Sequence, residues 1–226
     1  MLEIERIDAI LFDLDGTLLQ LRGGQKGGSV ARWIRPLTPI LPNRDPEATV
    51  RRLYVVTETP MNYLLAIMDR TGLMTLLRPL ADRARAAKGI NTLGNLHPIE
   101  GVEPLLSRLA AHYPLGVLTN RARREAYGFL DQNHFRSYFG AITTRQDLWR
   151  FKPHPEAVRR TARLLNIAPE RILMVGDMPV DMQTARRAGA QAVGVLTGFA
   201  TEEELQEAGA NLVLPSVIEM NQLSLI

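Results

Sequence analysis

Ile7-Asp8-Ala9-Ile10-Leu11-Phe12-Asp13-Leu14-Asp15-Gly16-Thr17 is an apolar run that ends in two carboxylates, a glycine and a threonine. In a strand, residues i and i+2 share a face, so Asp13 and Asp15 are expected to point into the same space. A carboxylate can attack an electrophile to form a covalent intermediate, while a second acid beside it carries protons. Gly16 supplies the turn, and Thr17 is expected to fasten its backbone. Taken alone, a bare Asp-x-Asp reads first as an acidic turn closing a strand. The rest of the chain has to decide.

Working outward, the same kind of apolar run recurs. Ile7–Asp13 reads as a buried strand, followed by Leu115–Thr119, Ala141–Thr144, Arg171–Val175, Ala192–Leu196 and Leu212–Leu214. Helical patterns lie between them at about 101–112, 122–133, 155–166, 179–188 and 201–208. Alternating strands and helices predict an α/β fold, a Rossmann-like parallel sheet with helices on both faces, whose ligands bind beyond the carboxyl ends of the strands. The acidic turn, Thr119 and Gly176-Asp177 all fall at those ends.

Residues 20–97 break the alternation. They start with the flexible run Arg22-Gly23-Gly24-Gln25-Lys26-Gly27-Gly28 and end near Gly94-Asn95-Leu96-His97-Pro98. Between these, Asp45-Pro46-Glu47 and Thr59-Pro60 read as helix starts, and Gly72 and Gly89 as helix stops. The segment is expected to be an all-helical insert, with Leu64, Leu65, Ile67, Met68, Leu73, Met74, Leu76 and Leu77 in its core. The glycine-rich run lacks the spacing of a nucleotide-binding P-loop and reads as a hinge.

Charge is unevenly spread. Residues 20–96 carry 12 Lys or Arg against 5 Asp or Glu, while the remainder carries 15 against 19. Dispersed arginines most simply form a solvated surface, although Arg22, Lys26, Arg32 and Arg35 follow the acidic turn closely enough to meet a substrate's charged tail. Without an aromatic stacking pattern, the basic charge does not indicate nucleic-acid binding. The absence of cysteine excludes disulfides, thiolate metal sites and cysteine nucleophiles. The N-terminal Met1-Leu2-Glu3-Ile4-Glu5-Arg6 is mixed and acidic, and no apolar run is long enough to span a bilayer. A cytoplasmic protein with no membrane partner is expected.

Two further segments carry chemistry. Arginine outnumbers lysine 24 to 3, so a basic position filled by lysine stands out. Lys152 is one of the three, in Phe151-Lys152-Pro153-His154-Pro155-Glu156, where two prolines shape a turn and open a helix. Its compact ammonium suits a site that needs one point charge, although a surface lysine in a proline-rich loop has the same local sequence. In Val175-Gly176-Asp177-Met178-Pro179-Val180-Asp181, Asp177 stands at a strand end and Asp181 at the next helix start. Alone, Asp181 reads as a helix cap and Asp177 as a loop acid. Four acids at the ends of two strands, however, call for a neutralising cation, and Mg²⁺ suits carboxylates that each give one or two contacts.

With these segments in place, the chain resembles the haloacid dehalogenase superfamily of phosphatases, in its phosphoglycolate-phosphatase-like subgroup. The four motifs occur in order as Asp13-Leu14-Asp15-Gly16-Thr17, Leu118-Thr119-Asn120, Lys152-Pro153-His154-Pro155-Glu156 and Gly176-Asp177-Met178-Pro179-Val180-Asp181. The run Gly194-Val195-Leu196-Thr197-Gly198 is family-like as well. The resemblance implies a core of residues 1–19 and 98–226, with residues 20–97 as a helical cap inserted between the first and second motifs.

It also implies a mechanism. Asp13 would be the nucleophile, giving an aspartyl-phosphate, and Asp15 the acid and base. Thr119, Asn120 and Lys152 would hold the phosphoryl group, with Asn120 either touching phosphate or shaping the turn. Mg²⁺ would be held by Asp13, the carbonyl of Asp15 and Asp177, with Asp181 a ligand or a group behind one. The implied activity is hydrolysis of a small phosphate monoester such as phosphoglycolate or a phosphosugar, by a monomer or homodimer. A phosphomutase using the same intermediate, and a non-catalytic regulatory protein on the same fold, are the alternatives. Free phosphate release separates the first of these, and the intact acidic set counts against the second.

Overall fold

The computed structural model describes residues 2–20, 35–40, 96–150 and 152–223, with isolated positions between 46 and 73. Six strands, β1 (Ala9–Phe12), β2 (Leu115–Leu118), β3 (Phe139–Thr143), β4 (Ile172–Gly176), β5 (Gln191–Val195) and β6 (Leu212–Leu214), form one sheet in the order β3-β2-β1-β4-β5-β6. Every neighbouring pair is parallel. The helices between them are α1 (Val102–Ala110), α2 (Arg123–Gln132), α3 (Glu156–Leu165), α4 (Pro179–Ala188) and α5 (Glu202–Ala208). All six strands and five helices expected in the core are present, with ends shifted by at most two residues.

The burial pattern explains why the strands read as continuous apolar runs. Ile10 and Phe12 of β1 face one core with Val117, Leu173, Val175, Val193 and Val195, closed by α1 and α2 through Leu105, Leu106, Leu109, Phe129 and Leu130. Ala9 and Leu11 face the other with Ile172, Met174 and Ala192, closed by Val158 of α3, Met182 of α4 and Leu205 of α5. A parallel sheet covered on both sides has no wet face, so successive residues are all apolar.

Helix ends follow local chemistry. Pro179 opens α4 at its first position, and Gly189 ends it at φ +84°. Around α5, the Thr201 amide donates to Glu204 Oε2 at 2.9 Å and the Glu204 amide to Thr201 Oγ1 at 3.2 Å, a reciprocal cap.

Most of the proposed insert, including the run 22–28 and Gly89, lies outside the described residues. Pro46, Thr49, Leu53, Thr57, Pro60, Leu64, Ile67, Met68 and Leu73 are helical. The Thr71 amide still reaches the Ile67 carbonyl at 3.0 Å, and Gly72, at φ +74°, ends that turn as its sequence suggested. The expectation that Leu64, Ile67 and Leu73 are core is corrected: they are 51%, 57% and 42% exposed. Thr57, Pro60, Leu64 and Ile67, spaced three or four residues apart, are all exposed. Among the described residues no helix is long and apolar enough to cross a membrane.

Candidate active site

Strand order reverses at β1: the chain steps to β2 and β3 on one side, then crosses to β4 on the other. This reversal leaves a crevice beyond the carboxyl ends of β1 and β4. Asp13 follows β1, Thr119 follows β2, Asp177 follows β4, and Lys152 comes from the loop after β3.

β1 stops at Phe12, so the Asp13 and Asp15 pair lies in the turn beyond it rather than in the strand. The Asp13 amide extends the ladder by donating to the Val175 carbonyl at 2.9 Å, which holds Asp13 against β4. Gly16 then turns the chain at φ +67°, where a Cβ would stand 2.5 Å from Asp177 Oδ2. The two acids take different partners. Lys152 Nζ donates to Asp13 Oδ1 at 2.8 Å, whereas Arg121 Nε and Nη2 donate to Asp15 Oδ2 and Oδ1 at 2.6 and 2.7 Å. Thr17 does not fasten the turn: its hydroxyl is buried with no hydrogen-bond partner among the described residues. The Thr197 hydroxyl does so instead, donating to the Gly16 carbonyl.

Lys152 is 2% exposed and also donates to Asp181 Oδ1 at 2.6 Å. Asp181, in the first turn of α4, accepts the Met178 amide on Oδ2 at 3.1 Å, so it both caps the helix and binds the lysine. Asp177 is buried as well, and its Oδ1 has no hydrogen-bond partner among the described residues. Glycines make room for these carboxylates. A Cβ at Gly198 would fall 1.6 Å from Asp177 Oδ2, and one at Gly176 would fall 2.4 Å from the Asp181 carboxyl carbon.

Asp13, Asp177 and Asp181 each offer an oxygen within 4.8 Å of the others, so the trio could hold a metal ion. The electrostatics point the same way. Burial pushes the Asp13 carboxyl up to about 7, against the pull of Lys152 and aided by Asp181 and Asp15. Burial raises Asp177 well above the usual carboxylate range, with Asp13, Asp181 and Asp15 adding to it. One ammonium does not balance three buried acids, and a divalent cation beside the orphaned Asp177 oxygen would.

Thr119 is buried, and its Oγ1 accepts the Arg121 amide at 3.1 Å. It is not a helix cap, since Ala122 occupies that position before α2. The Asn120 carbonyl accepts Arg145 Nη1 at 3.1 Å, which ties this loop to the end of β3. Of the basic residues placed near the acidic turn, Arg35 is exposed, while Arg22, Lys26 and Arg32 lie outside the described residues.

Sequence reasoning passed over Arg121 and Arg145, which no compositional signal separates from the other arginines. It quoted Thr197 and Gly198 without a role. Their position after β5, at the same end of the sheet as the acids, was the available signal.

A family model described as haloacid dehalogenase-like hydrolase matches residues 45–195. Phosphoglycolate phosphatase of Nitrosococcus oceani is 31% identical over 134 residues, 59% of this chain and 60% of that protein. Phosphoglycolate phosphatase of Escherichia coli O157:H7 is 24% identical over 242 residues, 97% of this chain and 93% of that one. Among solved structures, a Thermotoga maritima protein with a provisional beta-phosphoglucomutase name matches with a TM-score of 0.65 at 19% identity, over 96% of this chain and 97% of that chain.

Proposed function

The chain belongs to the haloacid dehalogenase-like hydrolase family, and we propose that it is a Mg²⁺-dependent phosphatase that hydrolyses a small phosphate monoester through an aspartyl-phosphate on Asp13. The observation that carries this reading is the buried trio of Asp13, Asp177 and Asp181, gathered within 4.8 Å around one lysine at the sheet's switch point. The phosphoglycolate phosphatase names of two relatives support phosphatase chemistry, whereas the name of the Thermotoga maritima structure is that of a phosphomutase. Residues 1–19 and 98–226 form the catalytic core, and residues 20–97 the cap above it.

Asp13, Asp177 and the Asp15 carbonyl would hold Mg²⁺, with Asp181 beside them. When bound, the ion neutralises the acidic trio and draws charge from the phosphoryl oxygens. Thr119, Asn120 and Lys152 orient the phosphoryl group through a hydroxyl, amides and an ammonium. An Asp13 oxygen bonds to phosphorus as the ester P–O bond breaks. The released electron pair stays on the leaving oxygen, which takes a proton from Asp15. A water molecule then gives a proton to Asp15 as its oxygen bonds to phosphorus. The bond from phosphorus to Asp13 breaks, restoring the carboxylate and releasing phosphate.

The basic excess of residues 20–96 favours a substrate with a second anionic group, such as phosphoglycolate or a phosphosugar. A panel of phosphate monoesters assayed with Mg²⁺ is expected to release inorganic phosphate, fastest from substrates bearing that second charge. Preference for uncharged leaving groups would refute the substrate class. Isomerised sugar phosphate without free phosphate would refute hydrolysis in favour of a mutase.

A further inference from the structure

We propose that Arg121 is the positioning residue of the proton-transfer steps, holding Asp15 at the mouth of the crevice; this rests on the phosphatase reading above. Arg121 lies outside the four motifs, yet its guanidinium meets Asp15 with two parallel bonds of 2.6 and 2.7 Å. Such a fork fixes the distance and the plane of a carboxylate, which a single ammonium does not. Among the described residues Arg121 is the only side chain that hydrogen-bonds Asp15.

The arginine is itself held. Its amide donates to Thr119 Oγ1 at 3.1 Å, its carbonyl accepts the Arg145 amide at 3.2 Å, and Nη1 lies 3.5 Å from Glu125 Oε2. Burial works against the charged guanidinium, and the Asp15 and Glu125 carboxylates more than offset it, so Arg121 stays protonated. The pair spans the loops after β1 and β2, and its side chains are 21% and 33% exposed. A bidentate pair of this kind also contributes to stability. What the pair fixes besides is direction. Asp15 sits in a turn with two free side-chain torsions, and a proton carrier that wanders loses the near-attack geometry on which its contribution depends. The two acids of the first motif are thus held by different cations, Asp13 by Lys152 and Asp15 by Arg121, which matches the separate work of nucleophile and proton carrier.

The test compares kcat/KM, with Mg²⁺, for p-nitrophenyl phosphate, whose leaving group needs no proton, and glycerol 1-phosphate, whose alkoxide does. Arg121→Gln is expected to lower kcat/KM for glycerol 1-phosphate by roughly 10²-fold and to leave p-nitrophenyl phosphate within a few fold. Arg121→Lys should recover part of the loss. In an Asp15→Asn background, Arg121→Gln should cause no further loss, because both changes remove one unit.

Equal losses on both substrates with a lowered melting temperature would mean a structural role and overturn the proposal. A loss that persists in the Asp15→Asn background would mean direct substrate contact and also overturn it. If the wild-type enzyme releases phosphate from neither ester nor from phosphoglycolate, the phosphatase reading itself fails. An active wild type with an indifferent Arg121 sinks only the positioning role.

Discussion

Asp13→Asn is expected to abolish turnover, by roughly four to six orders of magnitude, while leaving the protein folded. An amide oxygen is no match for a carboxylate as a nucleophile at phosphorus, and the other acids described at the site have other proposed roles, Asp177 as a metal ligand. Asp15 is engaged by Arg121, and Asp181 by Lys152 and the Met178 amide. The substitution keeps volume at a site that is 5% exposed, so no cavity forms. It also removes one of three mutually repelling buried carboxylates and leaves Lys152 its bond to Asp181. The melting temperature without metal should therefore stay near that of the wild type or rise. Near-normal phosphate release by the variant would remove Asp13 from the nucleophile's role.

Lys152→Met is expected to impair both chemistry and stability. If Lys152 holds the transferring group as proposed, losing it should lower turnover by roughly 10²–10³-fold. Methionine fills a similar volume but leaves Asp13 and Asp181 buried without their ammonium, a change that costs about 3–5 kcal/mol when a buried pair is broken.

The pH dependence has a definite sign. Burial pushes the folded Asp13 carboxyl up to about 7 from its ordinary 3.8, so between those values the folded state keeps a proton that the unfolded chain has released. Stability without metal therefore falls as pH rises from about 4 to about 7, by on the order of a few kcal/mol, and is flat above. Asp177, raised in the same direction, deepens that fall. Lys152 opposes both shifts, so Lys152→Met should steepen the dependence. Added Mg²⁺ should raise the melting temperature more at pH 8 than at pH 5. Thermal melts at the two pH values, with and without Mg²⁺, check this. A variant as stable as the wild type across that range would contradict the charge balance described.

The core was legible in the chain because a doubly covered parallel sheet writes itself as repeated apolar runs. Ile10 and Phe12 serve one core and Ala9 and Leu11 the other, so no polar residue interrupts β1. Asp13 and Asp177 were legible because each stands where such a run ends. The Arg121 pairing was not, since it joins residues 106 apart whose meeting depends on β1 lying beside β2. Gly198 was missed for a similar reason: its lack of a side chain matters only because Asp177 comes from the neighbouring strand. Thr17 was misread through a local rule. The hydroxyl that fastens the turn belongs to Thr197, 181 residues from the carbonyl it meets. Apolar periodicity likewise placed Leu64, Ile67 and Leu73 in a core, although a helix can carry an apolar face outward.

Phosphate is expected to pass through a covalent bond to Asp13. Acid quenching during steady turnover, followed by proteolysis and mass spectrometry, tests it without reference to substrate specificity. A single phosphoryl group is expected on the peptide containing Asp13, and none in Asp13→Asn. Sustained turnover with that peptide unmodified, or with the phosphoryl group on another residue, would contradict it.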